Sequence, residues 1–125
     1  MILDTNAVSA LFAGDTDLEP LLARQQRLKL PVIVIGEYRF GLFRSKLRKS
    51  IEPLLKTLIR ESDVLPVDER TAEVYAQLRE DLRDRGRPIP ENDMWIAALA
   101  LQHEVPVISR DDHFDEVRQI VRVAW

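Results

Sequence analysis

Short apolar runs alternate with longer amphipathic stretches along the whole chain, and that alternation leaves few folds open. The runs Ile2-Leu3, Val32 to Ile35, Val64 to Val67, Val107-Ile108 and Ile120 to Val123 are rich in β-branched residues, as buried strands are. Between them lie segments with helical spacing: Thr5 to Phe12, Leu18 to Leu28, Gly36 to Leu47, Ile51 to Arg60, Asp68 to Arg85 and Asn92 to His103. Strands separated by helices imply right-handed crossovers and a parallel sheet covered on both faces. The expected fold class is α/β, three layers α/β/α around a short central parallel sheet of four to five strands. At 125 residues the chain is expected to form one domain, 1–125. Pro66 suggests that its strand lies near an edge or an end.

Four acids then stand out by position. Asp4 follows Ile2-Leu3, Glu37 follows the Pro31 to Ile35 run, Asp93 opens Met94 to Leu99, and Asp111 follows Val105 to Ser109. Each alone has a structural explanation, because Asp caps helix N-termini and Glu suits a first turn. Together they mark four separate points at one kind of strand-to-helix junction. In a parallel sheet such junctions open on the crevice beyond the strand ends, where ligands bind.

Two unit charges 4 Å apart repel by about 4 kcal/mol at an effective dielectric near 20. Several such pairs rival the whole stability of a small domain, roughly 5–15 kcal/mol. Converging carboxylates must therefore stay protonated or hold a divalent cation. With no cysteine and no paired histidines, oxygen ligation favours Mg²⁺ or Mn²⁺ over zinc. Such an ion suits hydrolysis of a phosphodiester. Asp4 is the expected direct ligand, Asp93 its partner on the same ion, and Glu37 either completes the shell or orients water. Asp111 has rivals for its place in Asp112 and Asp115.

Composition narrows the rest. A hydrophobic share of 46% and no long apolar run describe a globular chain with no membrane span. The first residues lack the pattern of a secretory signal, and the absence of cysteine suits a reducing interior, so the cytoplasm is the expected location. A net charge of −3 excludes nucleic-acid affinity resting on bulk charge. It leaves room for a local basic surface such as Arg39, Arg44, Lys46, Arg48 and Lys49, which equally reads as a solvated helix face. The arginines between Arg79 and Arg87 alternate with acids and read as exposed helix pairing. Trp95, with its apolar flanks, is expected in the core or at a dimer interface. His103 reads as a C-terminal capping residue. His113, two residues from Asp111, is placed to approach substrate, but the His113-Phe114 pair reads first as a fold element.

Four blocks of residues resemble those of PIN-domain nucleases, in particular the VapC-type toxins of type II toxin–antitoxin systems. They are Ile2-Leu3-Asp4-Thr5-Asn6, Val34-Ile35-Gly36-Glu37-Tyr38, Asn92-Asp93-Met94-Trp95-Ile96-Ala97-Ala98 and Val107-Ile108-Ser109-Arg110-Asp111-Asp112-His113-Phe114. The resemblance covers essentially the whole chain and maps the family's four acids onto Asp4, Glu37, Asp93 and Asp111. It implies a PIN-like fold and an Mg²⁺- or Mn²⁺-dependent endoribonuclease with RNA as substrate. It also implies a homodimer or toxin–antitoxin hetero-oligomer, restrained by a cognate antitoxin protein. Thr5, Asn6, Asn92 and Ser109 match polar positions that support the acids. The first strand begins at residue 1, shorter than is usual in the family, which points to a start codon further upstream. Alternatives are a housekeeping RNA-processing nuclease, a haloacid-dehalogenase-type phosphatase, a phosphoacceptor receiver domain and a non-catalytic binding module. The phosphatase would need a second Asp two residues after Asp4, where Asn6 stands. The receiver would need a lysine after a late strand, where Arg110 is the nearest basic residue.

Overall fold

The computed structural model describes residues 1–125. Five two- or three-residue strands form one parallel sheet: β1 (Ile2–Leu3), β2 (Lys29–Pro31), β3 (Asp63–Leu65), β4 (Val107–Ile108) and β5 (Arg122–Val123). Their spatial order is β3-β2-β1-β4-β5, with β1 in the centre. The chain moves outward from β1 through β2 to β3, then returns to pair β4 on the other side of β1. With right-handed crossovers, that reversal divides the helices between the two faces. It also opens a crevice where the order reverses, beyond the ends of β1 and β4. Leu3 pairs with Ile108 in register, so Asp4 and Ser109 emerge side by side.

Six helices complete the fold: α1 (Thr5–Phe12), α2 (Glu19–Ala23), α3 (Val32–Leu42), α4 (Arg48–Glu61), α5 (Glu69–Asp84) and α6 (Glu91–His103). None is long and apolar enough to cross a membrane. The core joins Ile2, Leu3, Val8, Leu30, Val34, Leu82, Ile96, Leu99, Ile108 and Phe114. Helix α6 is the most enclosed, with Ile96 to Leu99 fully buried. It ends at Glu104, which adopts the left-handed conformation (φ 53°), a position glycine usually takes. That residue, rather than His103, closes the helix.

Three expectations change. The Val32 to Ile35 run is the first turn of α3, and the neighbouring strand is Lys29–Pro31. Leu18 to Leu28 is helical only over Glu19–Ala23. In α5 the buried stripe is Thr71, Leu78 and Leu82 with Tyr75 half-buried, while Ala72 and Ala76 face solvent. Helical spacing points to Ala72, Tyr75, Ala76, Leu78 and Leu82 as the inward face, but Thr71, which closes a capping box with Asp68 and bonds Gln102 of α6, is the buried residue of the first turn. Edge strand β3 ends just before Pro66, in keeping with proline's lack of a ladder donor. Arg79, Arg83 and Arg85 pair with Glu91, Glu80 and Asp81 on the exposed face.

Candidate active site

Asp4 leaves the end of β1 and caps α1, its Oδ1 accepting from the Thr5 amide at 2.8 Å. Its Oδ2 accepts from Ser109 Oγ at 2.6 Å and from Asn6 Nδ2 at 3.2 Å. Ser109, wholly buried after β4, also accepts from Asn6 Nδ2 at 3.1 Å and from the Asp111 amide at 2.9 Å. One donor and two acceptor positions exhaust a hydroxyl's capacity, so Ser109 is locked. Asn6 Oδ1 accepts from the Arg110 amide at 3.1 Å. The β1 and β4 ends are thus tied by side chains as well as by the sheet.

Asp93, in the first turn of α6, approaches the same place. His113 Nδ1 lies 3.1 Å from Asp93 Oδ2 and 2.8 Å from Asp111 Oδ1. Ligand atoms of Asp93, Asp111 and His113 all fall within 4.8 Å of one another. Burial pushes the Asp93 carboxyl up to about 6; the charges of Asp4 and Asp111 add to this, and its bond to His113 opposes it. Asp4 is also raised, chiefly by burial, against the pull of its bonds to Ser109 and Thr5. His113 is raised by its bond to Asp93 and by the charge of Asp111. Burial is the main reason that Asp4 and Asp93 favour their protonated forms, with the charge of neighbouring acids a lesser one.

Glu37 sits in the second turn of α3, not at a strand-to-helix junction as the sequence suggested. It meets the cluster through Thr5, whose Oγ1 donates to Glu37 Oε1 at 3.4 Å; both Glu37 and Asp4 lie outside the tight Asp93–Asp111–His113 group, Asp4 joining it through Ser109. Among the neighbouring acids, Asp112 is exposed and Asp115 is bound to Arg122 at 2.8 Å. Asp111, which also caps the 3₁₀ turn Asp112–Glu116, is the one facing Asp93. Thr5, Asn6 and Ser109 support acids as expected, whereas Asn92 is exposed and bonds none. His113 was read from the sequence as a fold element. Only its neighbour is one: Phe114 is fully buried, and the histidine turns to the acids. A polar ring two residues after Asp111 and next to a core anchor was the available signal.

The PIN domain family model matches residues 1–120. The chain belongs to the PIN domain family. Ribonuclease VapC5 of Mycobacterium tuberculosis is 34% identical over 115 residues, covering 90% of this chain and 84% of that protein. The solved structure of VapBC-5, a member of the VapBC family of toxin-antitoxin systems from the same organism, shares 29% identity. It aligns with a TM-score of 0.79 over 99% of this chain and 97% of the other. FitAcB from Neisseria gonorrhoeae aligns at 0.84 with 27% identity, over 97% and 94% of the two chains. In this PIN domain Asp4 directly follows β1, Asp93 lies in the first turn of α6 and Asp111 caps the 3₁₀ turn after β4.

Proposed function

We propose that this PIN domain is a divalent-cation-dependent endoribonuclease, the toxin of a toxin–antitoxin pair, hydrolysing phosphodiester bonds of single-stranded RNA. The observation that carries the proposal is the convergence of Asp4, Asp93 and Asp111 from three distant segments, two of them with raised affinity for protons. A site that favours bound protons is one whose charge a cation would relieve. Relatives that are ribonucleases, and a relative structure from a toxin-antitoxin system, support the choice of substrate and partner.

The donor set fits Mg²⁺ or Mn²⁺, since carboxylate oxygens dominate and no thiol is present. Asp4, Asp93 and Asp111 are assigned as the residues that hold the ion, with Glu37 as the fourth acid. When bound, the ion supplies Lewis acidity at a phosphoryl oxygen and lowers the pKa of a water. The chain's own part is positional. Ser109 and Asn6 hold Asp4 in one rotamer, and Thr5 holds Glu37, which is assigned to orient the attacking water and accept its proton. Hydrolysis then forms a bond from that water to phosphorus as the bond to the leaving sugar oxygen breaks.

The end of α3, the turn after it and the start of α4 carry exposed Phe40, Phe43 and Leu47 among Arg39, Arg44, Lys46, Arg48 and Lys49. Phe43 is 69% exposed, with the Arg48 guanidinium 5.0 Å from its ring centroid. An apolar and basic surface of this kind suits an acidic amphipathic antitoxin segment. The functional protein is a homodimer or a toxin–antitoxin hetero-oligomer acting in the cytoplasm.

The test incubates the purified protein and its Asp4→Asn variant with a pool of cellular RNAs in Mg²⁺, Mn²⁺ or EDTA. Cleavage should require the cation and fall by at least about 100-fold in the variant. Cleavage indifferent to both chelator and substitution would overturn the proposal.

A further inference from the structure

His113 brings a nitrogen into a site otherwise built of oxygen, at separations from two carboxylates that suit a hydrogen bond and also a shared ligand shell. Cation-to-ligand bonds of about 2.0–2.1 Å in an octahedral shell put neighbouring ligand atoms roughly 2.9–3.0 Å apart. His113 Nδ1 stands 3.1 Å from Asp93 Oδ2 and 2.8 Å from Asp111 Oδ1. The ring is held there from two sides. Its backbone amide donates to Asp111 Oδ1 at 3.0 Å, and the adjacent Phe114 is sunk in the core. Nε2 has no partner within the protein, so it is free to carry the ring proton when the Nδ1 lone pair is engaged. A neutral imidazole also completes a shell without adding to the charge of the three carboxylates assigned to the ion.

We propose that His113 is a direct ligand of the divalent cation through Nδ1, and that it biases this site toward Mn²⁺ over Mg²⁺. The inference rests on the nuclease reading and deepens it. Imidazole nitrogen binds first-row transition ions more readily than Mg²⁺. Mg²⁺ keeps several waters in its shell, so a water replaces the ring at little loss.

The chain lends itself to a direct test because it has only two histidines. The other, His103, ends α6, ten residues beyond Asp93 and about 15 Å along the helix axis. Pulsed electron paramagnetic resonance of the Mn²⁺-loaded protein reads nitrogen bound to the ion. The expected result is the modulation of one directly bound imidazole, lost in His113→Asn. Asn keeps a hydrogen-bonding group near the Nδ1 position but no imidazole lone pair. In calorimetric titrations the Mn²⁺ dissociation constant should rise roughly tenfold or more in that variant, with the Mg²⁺ constant nearly unchanged. Mn²⁺ bound without nitrogen modulation, or equal losses of both ions, would overturn the ligand assignment and leave the nuclease standing. A parent protein that takes up neither ion at millimolar concentration would overturn both.

Discussion

Ser109 shows how much one side chain settles. Its hydroxyl donates to Asp4 and accepts from Asn6 and from the Asp111 amide, all while excluded from water. Replacing it with alanine leaves Asp4 Oδ2 buried with one weaker partner, and should cost about 1–3 kcal/mol in denaturant unfolding. Cation affinity should fall with it, and an unchanged unfolding midpoint would contradict this account of the network. The titration of the site has a definite sign. Asp4, Asp93 and His113 all bind protons more tightly in the folded chain than is usual for their types, Asp93 up to about 6. For a raised acid, stability is lost as pH climbs from its unfolded value near 4 to its folded value; for a raised histidine, it is lost as pH passes the folded value, above about 6.5. Acids with lowered values, such as Asp63 and Asp115, lose their contribution only below about pH 4. In EDTA the thermal midpoint should therefore be higher near pH 5 than near pH 8, and the opposite slope would contradict the burial argument. Asp4 was legible in the sequence because a strand, an acid and a helix start coincide there. His113 was legible only in part: Asp111 is two residues away, but Asp93 lies on a segment that only the fold brings to it.

Among the elements, α3 is the instructive failure. Val32, Ile33, Val34 and Ile35 have strong strand preference, yet four residues cannot distinguish a buried strand from a buried helical turn by periodicity. Their helical penalty is at most about 0.7 kcal/mol each, and burial of a single side chain such as Val34 contributes about 1.5–3 kcal/mol against it. Tertiary packing therefore overrides propensity, and Glu37 moves from a junction into a helix, where Thr5 meets it. By contrast α6 was readable almost to its ends, since an unbroken apolar run of that length suits only a buried helix. Its weak point is Glu104, whose left-handed backbone is strained for a residue with a Cβ. Glu104→Gly should raise stability by up to about 1 kcal/mol without altering RNA cleavage, because it lies at the end of α6 remote from Asp93. A destabilised variant would show that the glutamate side chain matters in ways the cap does not explain.

For the molecule as a whole, the reversal of strand order at β1 explains why Asp4 comes near enough to Asp93 and Asp111 to feel their charge, while those two meet at His113. The alternation of strands and helices announced a parallel sheet, and the acid positions announced its active end. The strand order itself was beyond local signals, being fixed by crossover handedness and the match of short strands. The basic residues between Arg39 and Lys49 were legible as a surface, but the exposure of Phe40, Phe43 and Leu47 among them was not, because apolar residues at helical spacing read as inward until the core proves to be filled by other side chains. Phe43→Asp should leave folding within about 0.5 kcal/mol of the parent and RNA cleavage intact, while weakening capture of the cognate antitoxin in a pull-down. Undiminished capture would move the partner's seat elsewhere. The convergence of carboxylates on one cation is tested most directly by a crystal structure grown with millimolar Mn²⁺ and recorded at the manganese absorption edge. The account predicts an anomalous peak within coordination reach of Asp4, Asp93 and Asp111; ordered side chains around that point with no peak would contradict it.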